Sequence, residues 1–309
     1  MSAVSGADPV RFAALGDSLT EGVGDPVGEG LRGWAELLAP CFSTRRGVCG
    51  GGVSGGGVRE GGVREGGVRE GGVREVPVEF RNFAVSGAQS ADVWERQTPR
   101  ALEFAPDVAA VVVGVNDTLR RTFDIDRVTA RLDRVYGAFA AGGAQVLTAC
   151  LPDPGALLGL PGTLARPLAR RQRAVNTVVH ALSARYGAVH VHAADAEWVA
   201  DRSLWSADRL HPGERGHRAL AVRFHAELSA RGWELGPAPS RTPEQPAPTH
   251  TAALWWLATA GTGWVLRRST DLLPQLACLA ADEARHAVRG TAARLDRRAA
   301  AAASAALAV

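Results

Sequence analysis

Two serines in this chain sit in patterns that nucleophilic chemistry could use. Ser54 lies in Gly52-Val53-Ser54-Gly55-Gly56, the G-x-S-x-G spelling of a nucleophile elbow, and Ser18 lies in Gly16-Asp17-Ser18-Leu19. An elbow works because a strand drives the chain into a strained turn and a helix leads it away. Ser54 has glycine-rich coil on both sides, so its match is what such a tract spells by chance. Ser18 follows the apolar run Phe12 to Leu15 and precedes a turn-rich stretch leading to a helix.

A serine hydroxyl needs a base, and one stands late in the chain at Asp208-Arg209-Leu210-His211. Asp and His three residues apart on one loop let the carboxylate meet the imidazole Nδ1–H. That fixes the tautomer and leaves Nε2 to take a proton from serine. Two donors complete the set. Gly87 lets its backbone N–H approach a substrate without a side chain in the way, and the Asn116 amide is a donor of the kind an oxyanion hole uses. Singly, each residue has a plain reading: Ser18 and Asn116 as caps, Gly87 as a turn, Asp208 as a surface carboxylate. His217, six residues beyond His211, reads as a spare histidine on the following helix.

The elements that must position these residues can be read from the alternation of short β-rich runs with amphipathic stretches, which predicts an α/β fold with a parallel sheet. The runs are Val10–Leu15, Val78–Val85, Val108–Val113, Gln145–Cys150 and Val189–Ala193. The amphipathic stretches are Leu31–Ala39, Ser90–Phe104, Asp126–Ala141, Leu164–Arg185 and Pro212–Arg231. Ligands of open parallel sheets bind outside the carboxyl ends of the strands. Ser18, Gly87 and Asn116 follow the first three runs, so all three are expected on one rim, with His211 after the fifth.

Here the sequence resembles the SGNH (or GDSL) family of serine hydrolases, especially its actinobacterial members. Gly16-Asp17-Ser18-Leu19 matches the first block, Gly87 the second, Gly114-x-Asn116-Asp117 the third and Asp208-x-x-His211 the last. The resemblance spans residues 10 to 231. It implies a flavodoxin-like three-layer sandwich, a five-stranded parallel sheet in the order 2-1-3-4-5, and hydrolysis of carboxylic esters or thioesters with no metal and no other cofactor. It further implies Ser18 as nucleophile, His211 as base and then acid, and Asp208 as the residue that orients His211. The Ser18 and Gly87 N–H groups and the Asn116 side chain become the oxyanion hole. The substrate partner is then a small acyl ester. Two readings compete: a non-catalytic binding protein on the same fold, and a membrane-associated lysophospholipase-like activity.

Outside the four blocks the chain divides by composition. Residues 1–235 read as the hydrolase domain, interrupted at 47–76 by an insertion containing four GGVRE units. A period of five matches neither helix nor strand, so disorder is expected there. Residues 236–250 carry five prolines and read as a linker, and 251–309 as a helical extension. The apolar segment 252–268 bears Trp255, Trp256 and Trp264 and ends in Arg267-Arg268. It is read first as a helix docked on the main domain, with weak membrane-surface contact as the second reading.

All 35 basic residues of the Lys+Arg count are arginine, and a net charge of +3 over 309 residues does not point to nucleic acid. Cys41, Cys49, Cys150 and Cys278 lack CxxC spacing, and His190 and His192 two apart on a strand read as packing, so no metal site is expected. The N-terminus lacks a basic start and apolar core of signal-peptide type, which favours a cytoplasmic location. Oligomeric state is not readable from these features.

Overall fold

A computed structural model of the chain describes residues 9–43, 45–47, 73–75, 77–245 and 262–308. Ser54, most of the repeat insertion, and Trp255 and Trp256 lie outside the described residues. Five parallel strands form the sheet: β1 (Val10–Gly16), β2 (Val78–Asn82), β3 (Val108–Val112), β4 (Gln145–Cys150) and β5 (Val189–His192). Their spatial order is β2-β1-β3-β4-β5, the expected order. All five residues of β3 are buried, because the central strand of a parallel sheet is covered on both faces. β2 stops three residues earlier than its apolar run, yet the N–H groups of Phe83 and Val85 still donate to the Ala14 and Gly16 carbonyls of β1. The chain thus stays paired with β1 as far as Val85, two residues before Gly87.

Two apolar cores flank the sheet. One face packs against α1 (Trp34–Leu38) and against a long helix near residue 220, where Trp34 stacks on Phe224 at 4.4 Å between ring centroids. The other packs against α2 (Ile125–Ala141), α3 (Gly162–Arg185) and the helical turns of residues 90–103. α2 forms where Asp124 caps the N–H groups of Asp126 and Arg127, and its buried Val128, Leu132, Val135 and Phe139 recur at helical spacing. The long helix is α4 (Glu214–Ala230).

Two further helices, α5 (Thr262–Val288) and α6 (Ala292–Ala306), lie against the outer side of α2 and α3. Arg170 of α3 joins the buried Glu283 of α5 to Asp296 of α6, at 3.1 and 2.7 Å, and Ala303 is buried in the core on that face. The first part of the proline-rich segment is docked as well. Gly236 N–H donates to the Cys41 carbonyl at 2.7 Å, and Glu244 pairs with both Arg32 and Arg218. Among the described residues no helix is long and apolar enough to cross a membrane.

The end of β1 is the point on which the rim turns. Gly16 has φ +147, and a Cβ there would stand 2.1 Å from the Val112 carbonyl oxygen of β3. Its own N–H and C=O are both held by the buried Gln97 amide, at 2.8 and 2.9 Å. Gly16→Ala must therefore part β1 from β3 directly beneath Ser18. The variant is expected to lose at least about 1–3 kcal/mol in denaturant unfolding.

Candidate active site

β1 delivers the chain into Asp17, whose side chain accepts from Leu19 N–H at 3.1 Å and caps a single helical turn, Ser18–Glu21. Ser18 is the first residue of that turn, which lifts its hydroxyl out of the strand end. Some 190 residues later the chain returns, and His211 Nε2 lies 2.8 Å from Ser18 Oγ. The same ring presents Nδ1 to Asp208 Oδ2 at 2.6 Å. The second oxygen of Asp208 accepts from the N–H groups of Leu210 and His211 and from Ser206 Oγ–H, at 2.9, 2.9 and 2.7 Å. Burial pushes this carboxyl up, but the bonds and charge of His211, aided by Ser206, prevail and hold it at about 2. Asp208 is thus anionic at neutral pH. Nδ1 carries the imidazole proton toward it, and the Nε2 lone pair faces the serine hydroxyl.

The loop bearing this pair is fastened at close range. Ser206 N–H donates to the His211 carbonyl and Gly213 N–H to the Leu204 carbonyl, both at 2.8 Å. Gly24, at φ +106, comes so near that a Cβ would lie 2.0 Å from the Pro212 carbonyl oxygen. His217, read from sequence as a spare, is fully buried on α4 and its Nε2 lies 3.1 Å from the Val23 carbonyl. It joins α4 to the turn that follows Ser18. Burial holds the His217 ring down at about 4, so it is neutral and its Nε2–H donates to that carbonyl.

Gly87 and Asn116 reach the same rim. Asp117, the neighbour of Asn116, accepts from Ser90 N–H and Oγ–H at 2.9 and 2.6 Å, which holds the loop after β2 to the end of β3. Asn116 Nδ2 donates to Asp17 Oδ2 at 3.1 Å and to the Ala88 carbonyl at 3.2 Å. The Asn116 amide therefore stands at the rim with its N–H groups engaged by the protein.

Ser18, His211, Gly87 and Asn116 line one cavity of about 440 Å³. Its walls are largely apolar and include Leu119, Leu151, Leu157, Trp198, Trp205 and Leu220. Asp208 stands behind His211, outside the lining. The wall segments 20–30, 118–122 and 151–161 are recognisable in sequence as loops following the strands. Trp198 and Trp205 are not, since nothing in their local pattern separates a pocket tryptophan from a core one.

Asp17 is buried beside this machinery. Burial raises its carboxyl from 3.8 to about 6, against the opposing pull of Leu19 N–H, His211 and Asn116. The folded protein thus keeps a proton that the unfolded chain releases. The stability involved is fully present below pH 3.8 and lost as pH rises through 6, up to about 3 kcal/mol. Asp208 has the opposite sign and a lower window, between about 2 and 3.8. Urea unfolding of Asp17→Asn and parent across pH 4 to 7 should show the variant falling less steeply with rising pH. Parallel curves would remove Asp17 from the titration.

A family model of GDSL-like lipases and acylhydrolases matches residues 14–219. Among solved structures, an acetylxylan esterase from Geobacillus stearothermophilus is similar at 18% identity and a TM-score of 0.50, over 74% of this chain and 96% of that one. A Parabacteroides merdae protein assigned as a GDSL-like lipase is similar at 14% identity and a TM-score of 0.52, over 73% and 98%. These likenesses concern the fold. No curated protein sequence matches the chain.

Proposed function

We propose, from the premise that this chain belongs to the GDSL-like lipase/acylhydrolase family and is a carboxylic ester hydrolase, that it works through an acyl-enzyme on Ser18. The observation that carries this reading is the continuous line of hydrogen bonds from Asp208 through His211 to Ser18 Oγ, at 2.6 and 2.8 Å. Ser18 Oγ attacks the ester carbonyl while His211 Nε2 takes its proton. The new imidazolium is stabilised by Asp208, which remains ionised. The tetrahedral oxyanion is held by the Ser18 and Gly87 N–H groups and by Asn116, which turns one N–H from the Ala88 carbonyl to the oxyanion. Collapse expels the alcohol, which takes its proton from His211. Water then enters by the same base catalysis and releases the acid.

The apolar walls favour an ester with a hydrocarbon acyl or alcohol group over a highly polar one, because the pocket offers area rather than hydrogen bonds. A panel of p-nitrophenyl esters of increasing chain length reads that preference directly.

Ser18→Ala should abolish cleavage of the best ester in the panel, and Asp208→Asn should lower kcat by up to about 10⁴-fold with the fold retained. Asn116→Ala should lower kcat by about 10² to 10³-fold with a smaller effect on KM. A folded Ser18→Ala protein as active as the parent would overturn the mechanism.

A further inference from the structure

A second cluster of reactive side chains lies on the face of the sheet covered by α3. Cys150 is the last residue of β4, His190 and His192 are on the edge strand β5, and His180 is on α3. The strand register pairs Cys150 with His192 and Thr148 with His190. One ligand atom from each of Cys150, His180, His190 and His192 lies within 4.8 Å of every other. The ring centroids of His180 are 4.4 Å from those of His190 and 4.6 Å from those of His192.

The protons at the centre of the cluster can be traced. Ser183 Oγ–H donates to the Val179 carbonyl at 2.6 Å, so its 2.7 Å contact with Thr148 Oγ1 is one in which Thr148 donates. Thr148 Oγ1 has then spent its hydrogen and accepts from His190 Nδ1–H at 2.9 Å. His190 therefore carries its proton on Nδ1, and its Nε2 lone pair points at Cys150 Sγ, 3.2 Å away. An imidazole fixed through its far nitrogen, with the near nitrogen turned to a convergent donor set, is the arrangement in which histidine binds metals.

We propose that Cys150, His180, His190 and His192 form a site for a divalent transition cation of the zinc class. Three imidazoles and a thiolate match the nitrogen and sulfur preference of zinc. On a tetrahedral ion, nitrogen and sulfur ligands stand about 3.6 Å apart, close to the Cys150–His190 separation. His180 and His192 are exposed, so their rings can turn to close the remainder. Four protein ligands leave no open position, which makes the site structural: a clip binding the edge strand β5 to β4 and to α3. Loading converts the Cys150 thiol to a thiolate: one cation enters, a metal–sulfur bond forms, the S–H bond breaks, and one H⁺ passes to solvent. The next residues along the chain, Leu151 and Ala193, line the substrate cavity, so the clip would also stiffen that wall.

Zinc titrated calorimetrically into chelator-treated full-length protein should bind at one per chain and raise Tm. Cobalt(II) in its place should give a thiolate-to-cobalt charge-transfer band. His180→Ala/His192→Ala removes two exposed donors without opening the core, and should weaken binding by more than about 100-fold while metal-free ester cleavage is kept. No stoichiometric uptake by the parent, bound cobalt without the thiolate band, or undiminished binding by the double variant would each overturn the assignment.

Discussion

A carboxylate taken out of water has to be solvated by the protein, and the loop around Asp208 is built by that demand. Removing a charge from water costs several kcal/mol unless fixed dipoles replace the lost hydration. Asp208 receives two backbone N–H groups, one hydroxyl and the His211 Nδ1–H. Satisfying the charge and aiming the imidazole are therefore one act: the donors that hold Asp208 fix the position from which His211 meets Ser18. The contacts of Gly24 with Pro212, and of His217 with Val23, then tie this loop to the turn after β1. A shift in any of them moves Nε2 away from Oγ.

The second constraint is topological. In a parallel sheet every strand ends on the same rim, and with β1 between β2 and β3 the residues after those strands meet without further design. Ser18, Gly87 and Asn116 were legible in sequence for this reason. Each follows an apolar run, and the order of runs determines which ends are neighbours. Asp208 and His211 were legible because three residues of separation on a loop constrain how carboxylate and imidazole can meet.

What sequence left unread depends on contacts between distant segments. Gln97 supplies both the donor and the acceptor that Gly16 needs, across 81 residues, and a glutamine within a helical stretch carries no local sign of that task. Asp117 reads as part of the Asn116 motif, but its bond to Ser90 appears only when the loop after β2 has folded over β3. The proline-rich segment reads as a spacer from composition, yet residues 236–245 are held by Arg32, Arg218 and the Cys41 carbonyl. Ion pairs of that kind have no period to betray them. The apolar strand runs extended past the regular strands for a related reason: Phe83 and Val113 remain buried beyond the last ladder residues, although the second run ends in the exposed Val85.

The cysteine–histidine cluster follows from the period of two in β-strands. His190 and His192 look like a packing pair when only their own strand is considered, since zinc ligands usually come in closely spaced pairs and these had no second pair. Alternation puts them on the face opposite Val189 and Val191, which belong to the core under α4. On that other face the register brings Cys150 beside His192, and α3 brings His180 across both. The same alternation turns the following residues, Leu151 and Ala193, toward the core under α4 and the cavity beside Ser18. One step along each strand therefore separates a wall of the cavity beside Ser18 from the cysteine–histidine cluster, and a force fixing Cys150 to His192 would be transmitted to Leu151 and Ala193 through a single peptide bond each.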